Sequence, residues 1–473
     1  MFILDVVREL DVNSIDMKYQ AKDRRGTRKH NPWMMTALLL YAYCIGMPSS
    51  RRIERAIRED VGFRVIAGGA HPDHTRISEF RRENLPELAG LFVQALLLCR
   101  EAGLVKMGHV ALDGTKVDAN ASKHKAMSYE RMSQAEAKLR AEIDSLLAGA
   151  EKTDQQEDAL HGKGHRGDEV PEELRRREHR VKRIREAKVK LEAEAAAARA
   201  RELQEQAERA KRKAEAAAEG AQRNRAQGHA RERADKAAKA VEKASRTAAA
   251  AGDGEPDLKP IDPTKLPSHQ VSATTEGDPK PKAQRNFTDP DSRIMKRGGE
   301  FVQAYNCQAV VDEHAQVIVA QAVSNQSPDA EHYVPMMKEV ERNCGQLPEK
   351  VSADSGYWSE FNDAYNRAEH LDAYIATGRL KRSELPEMAQ GSPPSDLDAR
   401  GQMAWKLRTE EGRQVYSRRK VIVEPVFGNI KEPRGFRRFS LRGTDKVRGE
   451  WSLVCTVHNL LKLFKFRATL QLA

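Results

Sequence analysis

Three acidic residues are the side chains best placed to do chemistry in this sequence. Asp113 ends an apolar run in HVALDGTKV, and Asp354 ends another in KVSADSG. Glu424 lies in VIVEPVFG, directly before Pro425, a residue that suits the first position of a helix or a kink within one. Side chains at strand ends emerge at the edge of a sheet, where ligands commonly gather. We therefore expect the three carboxylates to converge.

Converging carboxylates repel one another and raise each other's pKa unless a cation neutralises them. Oxygen ligands favour Mg²⁺ or Mn²⁺ over Zn²⁺. Two such ions about 3.5–4 Å apart can activate a water or a 3′-hydroxyl and stabilise the leaving oxygen of an in-line displacement at phosphorus. The alternative for any single acid is a solvated or capping residue. Three acids in this order favour a metal site.

Basic residues accompany Glu424 along its predicted helix. At about 100° per residue, Lys420 and Lys431 fall on nearly the same helix face as Glu424, and Arg413 joins them if the helix continues through Pro425. A denser basic stretch follows in RGFRRFSLRG, and arginine suits phosphate geometry. A solvated loop and helix face is the alternative. We predict phosphate contacts from Lys431, Lys420, Arg434, Arg437 and Arg438.

The elements around these residues alternate between strand and helix patterns. FVQAYNCQAVVD and QVIVAQAVS are β-rich runs separated by DEHA, which predicts a hairpin. DAEHYVPMMKEVERN predicts an amphipathic helix, and KVSADSG and AYIATG predict further short strands. With HVALDGTKV as the first strand, residues 106–124 and 286–473 together predict a mixed α/β sheet.

Residues 125–285 separate the first strand from the others. Ala, Arg, Glu, Lys and Gln dominate their middle, and these are strong helix formers with frequent opposite charges at i,i+4. We expect a polar helical insertion that ends in a disordered, Pro- and Gly-punctuated linker, AAGDGEPDLKPIDPTKLPSHQ. A solvated spacer and a surface that contacts DNA or a partner subunit are both open as its role.

Residues 1–105 predict a helical region that resembles a helix-turn-helix. One helix surrounds Leu38, a second opens at Ser49 or Ser50, and a third begins after Asp73, beyond a Gly68-Gly69 turn. An ordinary helical bundle with solvated arginines is the alternative. The third helix, HTRISEFRREN, carries the residues for which we predict DNA contact, Arg76, Arg81 and Arg82.

Composition narrows the classes of protein. Lys and Arg number 81 against 70 for Asp and Glu, which gives a formal charge of +11 over 473 residues and makes polyanionic partners plausible. The sequence has neither an uncharged apolar run of about 18 residues nor a signal-peptide pattern, so we expect a cytoplasmic protein. Its five scattered cysteines form no CxxC pair, which argues against a zinc or iron–sulfur site.

Three blocks, LDGTKVDANASKHKAMS, ADSGYWSE and VEPVFGNIKEPRGFRRF, resemble the DDE-type transposases of bacterial insertion sequences. The resemblance implies an RNase H-like catalytic domain and makes Asp113, Asp354 and Glu424 its ligands for two Mg²⁺ ions, which Mn²⁺ can replace. The family's Tyr, Arg, Glu, Lys signature maps in residue type, but the Arg to Glu gap is one residue longer than the commonest spacing, which keeps Lys420 as a helical alternative to the arginine. The matching residues are Tyr416, Arg419, Glu424 and Lys431. The resemblance implies that Lys431, with Arg419 or Lys420, holds the phosphates at the site and that Tyr416 contacts the DNA there.

The resemblance also implies an activity and partners. The expected reaction is metal-dependent cleavage at the element ends, followed by attack of the freed 3′-hydroxyl on target DNA. Expected partners are terminal inverted repeats, target DNA and a second copy of the chain, with no membrane and no small-molecule substrate, in a nucleoid-associated protein. Family members usually carry a further N-terminal segment. An inactive or truncated copy that binds DNA and represses transposition therefore stays open, as does a structure-selective nuclease.

Overall fold

The computed structural model describes residues 2–20, 30–161, 172–217, 221–378 and 387–472. The chain divides into two compact units. Unit 1 consists of residues 1–121, 263–268 and 294–473, and unit 2 of residues 122–262 and 269–293. Unit 2 begins three residues before the expected start of the insertion, at residue 125. Within the ranges described, no helix combines the length and the apolar character needed to span a bilayer.

The N-terminal part of unit 1 is helical, and capping residues mark the starts of several of its helices. The Asn31 side chain accepts hydrogen bonds from the backbone N–H groups of Trp33 and Met34, and a proline takes the first helical position of α3. Asp73 caps α6 in the same way, by accepting from Arg76 N at 2.9 Å. A short helix, α5, which the sequence did not predict, ends at Gly68 with a positive φ of 56°. The helices are α1 (Phe2–Glu9), α2 (Asn13–Gln20), α3 (Pro32–Cys44), α4 (Ser50–Glu59), α5 (Val61–Ala67), α6 (His74–Glu83) and α7 (Leu85–Glu101).

A mixed sheet forms the centre of unit 1, with the strand order β4-β5-β1-β7-β8 and with β6 also paired to β5. Strand β1 pairs antiparallel with β5 and parallel with β7, and β7 pairs parallel with β8. The predicted hairpin is β5 and β6, and the predicted first strand is β1. The strands are β1 (His109–Asp118), β4 (Arg293–Arg297), β5 (Glu300–Asp312), β6 (Ile318–Ser324), β7 (Lys350–Ala353) and β8 (Asp372–Ile375).

Helices pack against this sheet and bury its apolar strands. Helix α11 contacts β5 and β6, α14 contacts β1, and α15 contacts both β6 and α7. The middle of β1, at Val110, Ala111 and Leu112, is completely buried, as is Trp451 of α15. Burial on both faces explains the continuous apolar character of the strand. These helices are α11 (Tyr333–Cys344), α12 (Glu360–Ala368), α13 (Ala399–Lys406), α14 (Glu410–Lys431) and α15 (Thr444–Leu472).

Pro425 lies inside α14, so of the two positions that suited it, a helix start or a place within a helix, the structure shows the second. A proline lacks an N–H, and the carbonyl four residues earlier loses its usual donor. That carbonyl belongs to Val421, and it accepts a hydrogen bond from Nε2 of Gln316 at 2.9 Å. The Gln316 side chain thus replaces the missing donor, and one helix carries both Arg419 and Glu424.

Unit 2 contains the long helices that the sequence predicted. Helix α9 (Glu172–Ala216) packs with α8 (Tyr129–His161) and with α10 (Ala221–Ala250), and β2 (Ala126–Ser128) pairs antiparallel with β3 (Gln284–Asn286). Residues 251–283, for which disorder was predicted in part, contain no helix and no extended strand. Backbone N–H of Thr274 nevertheless donates to Asp278 O at 2.8 Å, and Val271 is buried.

Candidate active site

Asp113 and Asp354 lie next to each other in the fold. Strands β1 and β7 are parallel neighbours, and Leu112 is paired with Ala353, so Asp113 and Asp354 each follow a residue of this pair. Asp354 comes directly after the end of β7, whereas β1 continues to Asp118, so the expectation that Asp113 ends its strand was wrong. Oδ1 of Asp354 accepts a hydrogen bond from Gly356 N at 2.8 Å, and this bond fixes the turn after β7. Two carboxylates that are far apart in sequence are therefore neighbours in the fold.

The Asp113 carboxylate is largely buried and has one cationic partner. Its Oδ1 accepts from Gly114 N at 2.8 Å, and its Oδ2 lies 3.2 Å from Nη1 of Arg419. Burial raises the pKa of Asp113 to about 6; Arg419 and the Gly114 N–H oppose the shift, while the nearby charges of Asp354 and Asp329 add to it. An additional cation at this edge would stabilise the ionised form.

Arg419, and not Lys420, is the α14 cation that contacts an acid of the site. The Arg419 side chain is 9% exposed and pairs with Asp113, whereas Lys420 is exposed to solvent. The guanidinium carbon of Arg419 also lies 5.8 Å from the centre of the Tyr416 ring. Burial raises the pKa of Tyr416, and Arg419 opposes that shift. Two residues of the predicted signature thus converge on Asp113 despite the longer spacing to Glu424.

The remaining two signature residues are placed differently. Lys431 donates a hydrogen bond to the Thr115 hydroxyl on β1, and burial lowers the pKa of Lys431. Glu424, seven residues earlier on α14, is exposed. Within the described ranges, no group of three acidic, histidine or cysteine side chains is close enough to hold a metal ion. The structure brings Asp113 and Asp354 together, whereas Glu424 lies on the exposed side of α14.

A further acid, Asp329, lies beside the two aspartates and was missed by sequence reasoning. Its Oδ1 accepts hydrogen bonds from Asn306 Nδ2 at 2.7 Å, Gln308 Nε2 at 3.0 Å and Lys116 Nζ at 3.1 Å. In sequence Asp329 belongs to SPDAEHY, where an acid before a helix is read as a cap. Its three donors come from β1 and β5, so no local signal distinguishes it from a capping residue.

Two transposase families match parts of this chain. Residues 394–464 match a family described as "Transposase DDE domain", and residues 3–83 match one described as "Transposase domain (DUF772)". These matches support a DDE-type transposase of an insertion sequence. The first match contains Glu424 and Lys431, while Asp113 and Asp354 lie outside both matches. No curated protein and no solved structure matches this chain.

Besides Arg419, two further arginines for which DNA contact was predicted, Arg81 and Arg434, are buried. Arg81 donates to Pro48 O at 2.6 Å and to the Tyr43 hydroxyl at 3.3 Å, and Arg434 donates to Val454 O at 3.1 Å. The expectation of direct phosphate contact is therefore revised for both. A buried guanidinium needs partners within the protein, and here it links helices of unit 1.

The other predicted DNA-contacting arginines lie on the surface of the transposase. Arg82 of α6 and Arg438, which follows α14, line one groove of about 620 Å³ in unit 1, together with Arg51 and His74. Arg76 forms an ion pair with Glu79 at 3.1 Å, and Arg437 pairs with Glu432. We name the groove lined by Arg51, His74, Arg82 and Arg438 the N-terminal groove. It joins basic residues that the sequence separates by more than 350 positions.

Proposed function

We propose that this transposase binds the ends of an insertion sequence, cleaves a DNA strand there and transfers the freed end to target DNA. The observation that carries the proposal is the placement of Asp113, within β1, beside Asp354, directly after the neighbouring strand β7, with Arg419 of α14 paired to Asp113. The mixed sheet, with antiparallel partners on one side of β1 and parallel partners on the other, supports an RNase H-like domain.

Divalent magnesium is the cofactor that fits this edge. Asp113 and Asp354 offer hard oxygen ligands, and the raised pKa of Asp113 reflects a buried carboxylate that one arginine neutralises only in part. We propose that these two residues and Glu424 hold the metal, with Mn²⁺ able to replace Mg²⁺. When bound, two such ions supply charge neutralisation and activation of the attacking oxygen.

The residues of the chain contribute binding and orientation. In the first step a water oxygen attacks phosphorus and the 3′ oxygen of the cleaved strand leaves; in the second, that 3′-hydroxyl attacks a target phosphodiester and the target's own 3′ oxygen leaves. Arg419 orients the Asp113 carboxylate, and Lys431 sits two strand positions from it, beside Thr115. We propose that Lys431, Lys420 and Tyr416 face the phosphates at the site.

The partners follow from the reaction. The N-terminal groove presents Arg82 and Arg438 without base-reading geometry, and arginines of this kind position a DNA backbone. Since two element ends must be joined, we propose that the transposase acts as a homodimer on DNA, at the bacterial nucleoid.

The test is a cleavage assay on labelled duplexes that carry the element's own end, with Mg²⁺, Mn²⁺ or EDTA. Asp354→Asn should lower the rate of nicking by about a thousandfold or more while binding of the duplex is kept, because a ligand to the metal is lost. Asp445→Asn is the matched control, since the Asp445 side chain is 98% exposed. Glu424→Ala tests whether the α14 carboxylate joins the site.

Each other result has a defined meaning. Undiminished nicking by Asp354→Asn would remove Asp354 from the site. Nicking by Glu424→Ala at the wild-type rate would leave the two aspartates as the acids of the centre. Binding of the ends without cleavage in any metal would favour a repressing, inactive copy, and cleavage without strand transfer would favour a nuclease.

A further inference from the structure

A groove of about 480 Å³ in unit 2 collects basic side chains from two parts of the insertion. His124 and Lys125 come from the turn before β2, and His179, Arg180 and Arg183 come from α9. Five of its ten lining residues are basic, and none is acidic. We name it the insertion groove. Cations gathered without counter-charges repel one another, so an anionic ligand would stabilise this arrangement.

The two faces of α9 differ in how their charges are paired. Towards α8, Arg177 pairs with Glu142 at 3.2 Å, and Arg185 pairs with Glu136 at 3.2 Å. On the groove side, neither Arg180 nor Arg183 forms an ion pair with a carboxylate of the described chain. The mixed charge of the helix is therefore not a uniformly solvated pattern, because Arg177 and Arg185 have carboxylate partners and the two arginines of the groove do not.

The walls of the insertion groove are held by backbone and amide hydrogen bonds. Phe287 N donates to Lys125 O at 3.0 Å, and Asn286 Nδ2 donates to Ser122 O at 2.8 Å. Arg183 packs its guanidinium 5.9 Å from the centre of the Phe287 ring and donates to the Phe287 carbonyl at 3.3 Å. The turn that carries Lys125 is thus fixed against the strand that follows the linker, and the cations keep their spacing.

We propose that the insertion groove binds the phosphodiester backbone of duplex DNA, which makes the insertion a second DNA-binding surface of the transposase. This inference rests on the proposed function, which supplies the DNA. Double-stranded DNA carries one negative charge per about 1.7 Å of helix axis, so several phosphates can meet neighbouring cations. Binding in the groove should depend on the charge and the spacing of the phosphates and not on the base sequence, since phosphate contacts carry no sequence information directly.

The test measures binding of a labelled element-end duplex to the full-length protein by fluorescence anisotropy over a range of KCl concentrations. Lys125 and Arg180 are exposed, so the double variant Lys125→Gln/Arg180→Gln leaves the core intact. Lys211→Gln/Lys213→Gln is the matched control, since it removes the same charge from exposed positions of α9 outside the groove. Circular dichroism verifies that both variants fold.

The expected result is a selective loss of salt-dependent affinity. With two phosphate contacts removed, the slope of log K against log [KCl] should decrease in magnitude by about 1.8, and affinity at about 0.1 M salt should fall tenfold or more. The control should retain most of its affinity and its slope. A random duplex should show the same loss as the element end.

Other results overturn the proposal, and they can be told apart from failure of the proposed function. Equal affinity and slope in the groove variant and the wild type would overturn the insertion groove alone, provided that wild type still cleaves. Equal losses in the groove variant and the control would assign the effect to net charge and would also overturn it. Wild-type protein that binds no duplex would overturn both proposals. An Arg183→Gln variant repeats the measurement at a third position.

Discussion

The two units of the chain differ in where their charged side chains lie. Unit 1 buries charged side chains and gives each one partners: Glu450 is completely buried and accepts from the backbone N–H groups of Ser440 and Leu441 at 2.9 and 3.0 Å. Unit 2 keeps most of its charges on the surface, in pairs such as Lys236 with Glu232. Buried, partnered charges have fixed positions, whereas exposed ones are free to follow a ligand.

The hydrophobic cores of the two units also differ, in the size of the side chains that they contain. Unit 1 encloses large side chains such as Trp451, Tyr305 and Phe439. In unit 2, the contact between α9 and α10 is built from alanines, among them Ala196, Ala200 and Ala244. A dense core of large residues fixes the side chains around it, while alanine-rich helices carry exposed charge at little cost in burial. This contrast shows that fixed, partnered charges and exposed charges go with different packing within one chain.

The largest effect is expected from truncating the two cores. Trp451→Ala should lower the free energy of unfolding of unit 1 by about 3–5 kcal/mol, because it opens a cavity and removes the ring packed on Phe436. Leu191→Ala, in the core of unit 2, should cost about 2 kcal/mol, since a thin helical core collapses more readily around the gap.

Denaturant titrations with two probes distinguish the two units. All four tryptophans, Trp33, Trp358, Trp405 and Trp451, belong to unit 1, so their fluorescence reports on that unit. Far-ultraviolet circular dichroism follows the helices of both units, so a transition seen by circular dichroism and not by fluorescence belongs to unit 2. Equal losses from the two truncations would break the comparison between a dense and a thin core. A loss in fluorescence-detected stability from Leu191→Ala would do so as well.

An intermediate effect should appear in acid. Burial lowers the pKa of His458 to about 3, while its Nε2 bonds to the Gln316 carbonyl at 3.0 Å. Because the unfolded histidine binds its proton near pH 6.5, the unfolded state takes up more protons below that pH, and stability falls as the pH decreases. At pH 4.5 this residue should cost unit 1 about 2–3 kcal/mol relative to neutral pH.

The acid sensitivity is checked by unfolding His458→Gln at a series of pH values between 4.5 and 7.5. The variant keeps a donor for the Gln316 carbonyl but has no group that titrates here, so its stability should fall less steeply with acid than that of the wild type. Parallel pH curves for the two proteins would mean that His458 is not a buried neutral group in the folded state.

The smallest change in stability is expected from removing the hydrogen bond that Gln316 donates to the Val421 carbonyl of α14. Gln316→Ala should lower the stability of unit 1 by about 0.5–1 kcal/mol, because it removes the side-chain donor to the Val421 carbonyl at an exposed position, where water replaces it in part. In a Pro425→Ala background the helix regains its own N–H, so the same substitution should cost less. A double-mutant cycle with no coupling between Gln316 and Pro425 would contradict the claim that the Gln316 side chain replaces the missing N–H.

Much of the fold and part of the candidate site were predictable because their signals are local. The strands β1, β5, β6, β7 and β8, and the helix starts at Ser50 and His74, follow from alternation, apolar runs and capping residues within a few positions of each other. Asp113 and Asp354 were found in the same way, as acids that follow apolar runs. Whether α14 continues through Pro425 was left open by the sequence, because the donor that replaces the missing N–H comes from Gln316 at the β5–β6 turn.

The sequence by itself determined which segments are helices and strands, where the polar insertion lies and which acids follow apolar runs. Each of these features is encoded by residue types at short spacing. Only the tertiary structure decided that Arg419 pairs with Asp113, 306 residues away, that Asp329 joins the two aspartates, and that Arg81 and Arg434 are buried. Burial and charge pairing depend on which surfaces the fold brings together. A side chain's neighbours across hundreds of positions leave no trace in its local pattern.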